Sequence, residues 1–167
     1  MVPAHLLRRH AVALTLALLS AVLPGVASAA ASCTLSATGP AFGIYNPFNA
    51  VATLSNGSVT ATCNWTGGGS TTVNLVTQYS AGASGNFGTR YMLSGANRLD
   101  YNIYFDAALT QIRGDGTGGS LTGSGTLTVS RFNRTDSTSS VIYGRIPAGQ
   151  NAMPGTYADT IVVTVTY

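Results

Sequence analysis

The sequence contains no lysine and no glutamate, and its only histidines, His5 and His10, lie within the first ten residues. Beyond residue 10 the usual general bases and the usual partners of a serine nucleophile are therefore missing. The carboxylates are five scattered aspartates, Asp100, Asp106, Asp115, Asp136 and Asp159. No pair of them has a spacing that suits shared acid and base chemistry. The sequence predicts that the protein is not an enzyme.

Long apolar runs are also scarce, and the only one lies near the N-terminus. Arg8 and Arg9 precede an apolar run over residues 11–23, and Ala27 and Ala29 are the small residues that a signal peptidase accepts. This predicts a secretory signal peptide over residues 1–29 and one exported domain over residues 30–167. The run is short for a membrane span, so an uncleaved anchor is the less favoured alternative, and we expect no transmembrane segment after cleavage.

The basic charge of the chain comes largely from this leader. Residues 30–167 hold six arginines and five aspartates, a net charge of +1, so the pI of 9.1 does not indicate nucleic-acid binding. The Gly-rich segment GDGTGG, residues 114–119, lacks the alternating carboxylates and the closing glutamate of a calcium loop. We predict neither a metal site nor a cofactor.

Cysteine is limited to Cys33 and Cys63. An even number of cysteines in an exported chain predicts a disulfide between them. The bond would join the first strand of the domain to the second.

What the exported chain does have is period-two alternation between turn-forming segments. Alternation occurs at residues 58–65, 71–79, 99–105, 125–130, 140–146 and 157–167. The segments between them, including NRTDSTSS at residues 133–140, have the composition of turns and loops. Six or seven short antiparallel strands with a disulfide near the start predict an all-β, immunoglobulin-like sandwich, with a jelly roll or small barrel as the alternative.

The last run is the clearest strand pattern and has no successor in this sequence. Its apolar face comprises Tyr157, Ile161, Val163, Val165 and Tyr167. The backbone groups on the free side of this strand would need a partner, and an open apolar edge is an aggregation hazard. The sequence alone leaves the origin of that partner open.

Two further features invite a functional interpretation. The tripeptide Arg113–Asp115 spells RGD, but in this Gly-rich context a tight turn with Gly114 and Gly116 at positive φ is favoured over a receptor-binding motif. Aromatic residues cluster near glycine and proline at Phe42, Tyr45, Phe48, Phe87 and Tyr91. Most of these are expected to fill the core, and the remainder would form an exposed contact patch.

Four segments together resemble the spore coat protein U domain family. They are CTLSATGPAFGIYNP, TATCNW, LDYNIYFDAALTQIRGDGT and the terminal block YGRIPAGQNAMPGTYADTIVVTVTY, and they cover almost the whole exported chain. One departure is Arg113, where an aromatic residue is expected before GDGT. The resemblance implies an exported subunit similar to those of archaic (Csu-type) chaperone-usher pili, located in the periplasm and then at the cell surface.

In such subunits the sandwich lacks its last strand. The resemblance therefore implies an incomplete sandwich with a donor-strand groove beside Tyr157, Ile161, Val163, Val165 and Tyr167. The resemblance implies that a periplasmic chaperone holds the subunit, that an outer-membrane usher assembles it, and that a neighbouring pilus subunit completes it with a donated strand. Cleavage after Ala29 would leave only Ala30, Ala31 and Ser32 before Cys33, too few for a donor strand, so we expect a subunit at the fibre tip. The alternative is a self-complete coat or surface-binding domain that uses residues 37–47 as an edge strand.

Overall fold

The computed structural model describes residues 30–167, and the predicted signal peptide, residues 1–29, lies outside the described residues. The described chain contains nine strands and one short 3-10 helix, Gly82–Ser84. The strands are β1 Ala31–Thr38, β2 Thr53–Trp65, β3 Ser70–Tyr79, β4 Tyr91–Ser94, β5 Asn97–Asp100, β6 Asn102–Tyr104, β7 Gly123–Ser130, β8 Thr135–Ile146 and β9 Val163–Thr166.

Two antiparallel sheets form the body of the domain. One has the order β1-β2-β8-β6 and the other has the order β7-β3-β9, while β4 and β5 form a separate hairpin. In an immunoglobulin-like sandwich one sheet contains strands A, B, E and D, and the other contains C, F and G. The four-stranded sheet here has this A-B-E-D order, and β3 and β9 occupy the places of C and F. The predicted all-β, immunoglobulin-like sandwich is confirmed.

The disulfide joins β1 to β2, as predicted. Cys33 and Cys63 lie directly opposite each other in the register of the two strands, and Cys63 is completely buried. Around it lies one of two apolar clusters in the core, with Ala61, Val73, Leu75, Leu127 and Val129. The other cluster lies nearer the opposite end of the sandwich and comprises Val59, Tyr79, Met92, Leu99, Tyr101, Ile103, Ile142 and Ile146.

The structure corrects three strand predictions. The last run, residues 157–167, forms a strand only at Val163–Thr166, and the other two corrections concern residues 99–105 and 133–140. Residues 99–105 do not form one strand, because the chain changes partner at Tyr101: β5 pairs with β4, whereas β6 pairs with β8. The Tyr101 N–H instead donates to the Arg90 carbonyl at 2.9 Å. The alternation is nevertheless kept, since Leu99, Tyr101 and Ile103 are all buried.

The prediction that NRTDSTSS is a loop is wrong, because Thr135–Ser140 forms the first half of β8. These residues pair with β2 along the whole segment. The hydroxyl of Thr60 lies 2.7 Å from that of Ser139, and the Thr135 hydroxyl donates to Asn64 Oδ1 at 2.7 Å. Cross-strand hydroxyl pairs of this kind stabilise a sheet without apolar side chains, so periodicity of hydrophobicity cannot detect the strand.

Candidate functional site: the groove between β1 and β9

Strand β9 lies at the edge of its sheet. It pairs with β3 through four residue pairs, from Tyr79↔Val163 to Val76↔Thr166. Across the open side of the sandwich stands β1, the edge strand of the other sheet, which pairs only with β2. Within residues 30–167, no strand pairs with the second edge of either β1 or β9.

The backbone groups that face this open side can be assigned by alternation along the ladders. The Ser80 N–H donates to the Val162 carbonyl at 2.9 Å, so residue 162 and every second residue after it point toward β3. The N–H and C=O groups of Ile161, Val163 and Val165 then point to the open edge. On β1, the Cα atoms of Cys33 and Cys63 are only 4.0 Å apart, the spacing of a non-hydrogen-bonded pair, so the backbone groups of Cys33 point away from β2.

The inward side chains of these two edge strands are less buried than those of the inner strands. Val73, Leu75 and Tyr79 of β3 are buried, whereas Ile161, Val163 and Val165 are only half-buried. Leu35 of β1 is also half-buried. Apolar side chains that point into a sandwich but stay half-buried on both sides of the same gap indicate that the core lacks cover at this edge.

The gap contains a groove with a cavity of about 340 Å³. Ala37 of β1 lines one side, and Ile161 and Val163 line the other. The floor consists of buried core residues, among them Tyr79, Met92, Tyr101, Ile103 and Ile142. The groove is therefore apolar at its base and is flanked by unpaired backbone groups.

The structure separates the five residues that the sequence placed along one groove. Ile161 and Val163 line the groove itself. Val165 packs against the cluster around the disulfide, and Tyr167 is 55% exposed beyond the end of β9. Tyr157 lines a second cavity of about 650 Å³ at the end of the sandwich, between the segments 40–47 and 152–157.

Asp159 fixes the chain just before β9. Its carboxylate accepts hydrogen bonds from the Tyr101 hydroxyl at 2.7 Å and from the Ala83 N–H at 2.9 Å. Burial, together with the hydrogen bond to Asp159, raises the pKa of Tyr101. Asp159, one of the five scattered aspartates, therefore connects the residues before β9 to the segment at Gly82–Ser84.

The alternative in which residues 37–47 form an edge strand is not supported, because only Ala37 and Thr38 lie in a strand, the end of β1, and residues 39–47 have none. They pack against the core with individual side chains instead. Phe42 meets the Tyr101 ring edge-on with centroids 6.1 Å apart, and the Tyr45 hydroxyl donates to the Pro147 carbonyl at 3.1 Å. The segment packs against the core cluster that contains Tyr101 and Ile142. It does not cover the open edge of β9.

The RGD arginine is not available to a receptor, because Arg113 is completely buried. Its guanidinium donates to the carbonyls of Tyr104 and Val141 and to the hydroxyls of Tyr79 and Ser140. It also lies 4.0 Å from the centre of the Phe105 ring. Of the two glycines predicted at positive φ, Gly116 has a φ of 91°, but Gly114 does not lie in that region. Gly114 is required for space, since a Cβ there would lie 2.0 Å from Ser120 Oγ.

A second buried arginine escaped the sequence analysis. Arg90 donates to Asn102 Oδ1 and to the carbonyls of Ser80 and Arg113 at 2.7–2.9 Å. Burial lowers the pKa of both the Arg90 and the Arg113 guanidinium. The only ion pair within residues 30–167 is the exposed Arg98–Asp100 pair, so carbonyl oxygens, and not carboxylates, stabilise the two buried cations. No hydrophobic or motif signal marks such residues in a sequence.

The aromatic residues singled out in the sequence divide as expected. Phe42, Tyr45, Phe87 and Tyr91 are half-buried, whereas Phe48 is 94% exposed. Phe48 belongs to a segment, residues 43–54, whose other exposed apolar side chains are Ile44, Val51 and Leu54. We call this segment, which includes the first two residues of β2, the apolar loop. Its role as a contact patch stays a prediction.

Residues 30–167 contain no cluster of three or more His, Cys, Asp or Glu side chains that could hold a metal ion. The same residues contain no helix of the length and hydrophobicity needed to cross a membrane.

A family model described as Spore Coat Protein U domain matches residues 17–164. Among solved structures, the chain is similar to a CsuC–CsuE chaperone–tip adhesion subunit pre-assembly complex from the archaic chaperone-usher Csu pili of Acinetobacter baumannii, with 19% identity and a TM-score of 0.49. The match covers 83% of this chain but only 40% of that chain. A comparison with curated proteins gave no match.

Proposed function

The chain belongs to the spore coat protein U domain family, and from this premise we propose that it is an exported pilin-like subunit completed by a β-strand from a partner. The observation that carries the proposal is the pair of facing edge strands, β1 and β9, with unpaired backbone groups and half-buried apolar side chains on both sides of one groove. An extended segment with alternating apolar residues meets both needs, because its backbone extends the sheet and its side chains fill the groove.

The proposed partners follow from this mode of completion. A periplasmic chaperone would cover the groove after export, an outer-membrane usher would assemble the subunit, and a neighbouring pilus subunit would donate the final strand. The protein would thus pass through the periplasm to the cell surface. Its role in this account is structural.

Strand addition predicts a stability that depends on the added peptide. We expect the exported protein to aggregate or to be degraded without a partner, and an alternating apolar peptide to raise its melting temperature, because a ligand that binds only the folded state stabilises that state. The control peptide has the same composition with serine at the inward positions. A monomer that unfolds cooperatively at high temperature, with no response to any peptide, would contradict the proposal and favour the self-complete domain.

Neighbouring valines in and before β9 provide a matched pair of variants for the same assay. Val163 faces the groove, whereas Val162 faces solvent and is 61% exposed. Because fully burying a valine contributes about 1.5–3 kcal/mol, Val163→Ser should remove about 1 kcal/mol of the stabilisation that the peptide confers. Val162→Ser should leave this stabilisation unchanged. Equal effects of the two substitutions would place the peptide outside the groove.

The finer part of the proposal is a terminal, surface-attaching position in the fibre. Its support is the apolar loop, in which Ile44 and Phe48 are 95% and 94% exposed, together with the short N-terminus that the predicted cleavage site would leave. Phe48→Ala should reduce attachment to a hydrophobic surface without changing the melting temperature. Phe132→Ala, in the exposed β7–β8 turn, is the control and should change neither. N-terminal sequencing and immunogold labelling test the position, and label along the whole shaft would rule it out.

A further inference from the structure

The groove beside β9 and the cavity at the end of the sandwich are separated by one wall. Three residues line both spaces: Pro40, Phe42 and Met92. The groove holds about 340 Å³ and the end cavity about 650 Å³, and both are bounded mainly by apolar side chains. The two spaces would form one continuous channel along the edge of the sandwich if the wall were absent.

Phe42 is the large aromatic member of this wall and is held from two directions. Its ring meets Tyr101 edge-on at a centroid distance of 6.1 Å. On its other side is Gly144 of β8, where a Cβ would lie only 2.7 Å from the tip of the Phe42 ring. The glycine thus leaves the space that the ring occupies, and the ring position is set by β8 as well as by its own segment.

The wall separates the inward-facing residues in and before β9 into two groups. Ile161 and Val163 lie on the groove side, and Tyr157 lies on the side of the end cavity. A strand added along β9 would place an inward side chain about every 6.6–6.8 Å. After the positions opposite Val163 and Ile161, its next inward side chain would lie opposite Asp159, in the part of the groove toward Tyr157, where Phe42 forms the wall to the end cavity.

We infer that Phe42 determines which partner strands the groove accepts, by excluding a large inward side chain at the end of the strand that lies against it. This inference rests on the proposed function and specifies its partner. The partner strand carries large apolar residues opposite Ile161 and Val163 and a small residue, glycine, alanine or serine, at the next inward position. When a smaller residue replaces Phe42, the channel opens. A large side chain at that position of the partner strand can then extend into the end cavity.

The test uses the full chain exported to the periplasm of a bacterial host and a set of synthetic alternating apolar peptides. The peptides differ only in having alanine or phenylalanine at the first or at the last inward position, which covers both strand directions. The affinities are compared for the wild type, Phe42→Ala and Phe42→Leu. Ile44→Ala is the control, because Ile44 lines the end cavity but is not part of the wall.

For one of the two positions, the first or the last inward residue, the wild type and Ile44→Ala should prefer alanine. They should bind the alanine peptide at least about tenfold more tightly than the phenylalanine peptide. Phe42→Ala should reverse this order, and Phe42→Leu, which is more conservative in volume, should reduce the difference even if the alanine variant does not fold. If all variants bind peptides with the same order, Phe42 is not a selectivity determinant and the proposed function stands. If the wild type binds none of the peptides, both the inference and the proposed function are wrong.

Discussion

Replacing Arg113 by methionine tests whether the buried guanidinium is a structural cross-link. Arg113 joins β6, β8 and Tyr79 of β3 through four hydrogen bonds and has no accessible surface. Methionine keeps most of the side-chain volume and can still contact Phe105, so the substitution removes mainly the polar interactions.

The magnitude follows from the groups that the substitution leaves behind. The carbonyls of Tyr104 and Val141 would lose a charged donor, and an unpaired buried acceptor costs about 1–3 kcal/mol. The Tyr79 and Ser140 hydroxyls can rotate toward other partners and contribute less. Since removal of a desolvated charge offsets part of this cost, we expect a loss of about 3 kcal/mol, equivalent to a decrease of about 10 °C in Tm for a domain of this size.

The assay is urea unfolding of the exported protein, with the stabilising peptide present in every sample. Arg98→Met is the matched control, because Arg98 is exposed and pairs with Asp100 only at the surface, where such pairs contribute at most about 1 kcal/mol. If Arg113→Met is as stable as the wild type, or no less stable than Arg98→Met, the four hydrogen bonds do not stabilise the fold and the cross-link argument fails.

Three other predictions concern the disulfide, the RGD tripeptide and the response to acid. Replacing both Cys33 and Cys63 by alanine should lower the free energy of unfolding by about 3–4 kcal/mol, since the bond closes a loop of 30 residues; urea unfolding measures this, and an unchanged midpoint would contradict it. Asp115→Glu should leave attachment to integrin-bearing cells unchanged, because the neighbouring arginine is buried; a loss of attachment would show that the motif is read. Hydrogen bonds from Thr110 lower the pKa of Asp106 below its ordinary value of 3.8, so the stability that this carboxylate contributes is present above that pH and is lost as the pH falls through the lowered value. Thr110→Val should raise the Asp106 pKa in an NMR titration, and an unaltered titration curve would refute the assignment.

The sequence was informative wherever one-dimensional patterns reflect burial. The disulfide, the sandwich and the inward face of β9 were all predicted, because alternation of apolar residues follows directly from the pleat of a strand. The first half of β8 was missed, because both its faces are polar and its pairing depends on hydroxyl groups of β2, a strand that lies more than 60 residues away in the chain.

The buried arginines could not be predicted for a different reason. A charged residue beside GDG indicates an exposed turn, and burial of Arg113 depends on carbonyls from Tyr104 and Val141, which only the folded chain brings together. The wall at Phe42 is equally non-local, since its position requires the empty side-chain space of Gly144. Sequence patterns report which face of a strand is apolar, but they do not report which distant groups share a cavity.

The polar first half of β8 also bears on which edges of the domain can attract a partner strand. Strand β6 pairs only with residues 143–145 of β8, so the outer edge of the first half of β8 extends past β6. The segment Thr135–Ser140 in this half bears only hydroxyl side chains and the carboxylate of Asp136. Water can hydrogen-bond to the backbone and side chains of such an edge. At the groove beside β9, an added strand would instead gain burial of apolar side chains as well as backbone pairing. A domain with one apolar edge and one hydrophilic edge is expected to accept a single partner strand, so its association would stop at a complex of defined size instead of continuing into a branched aggregate.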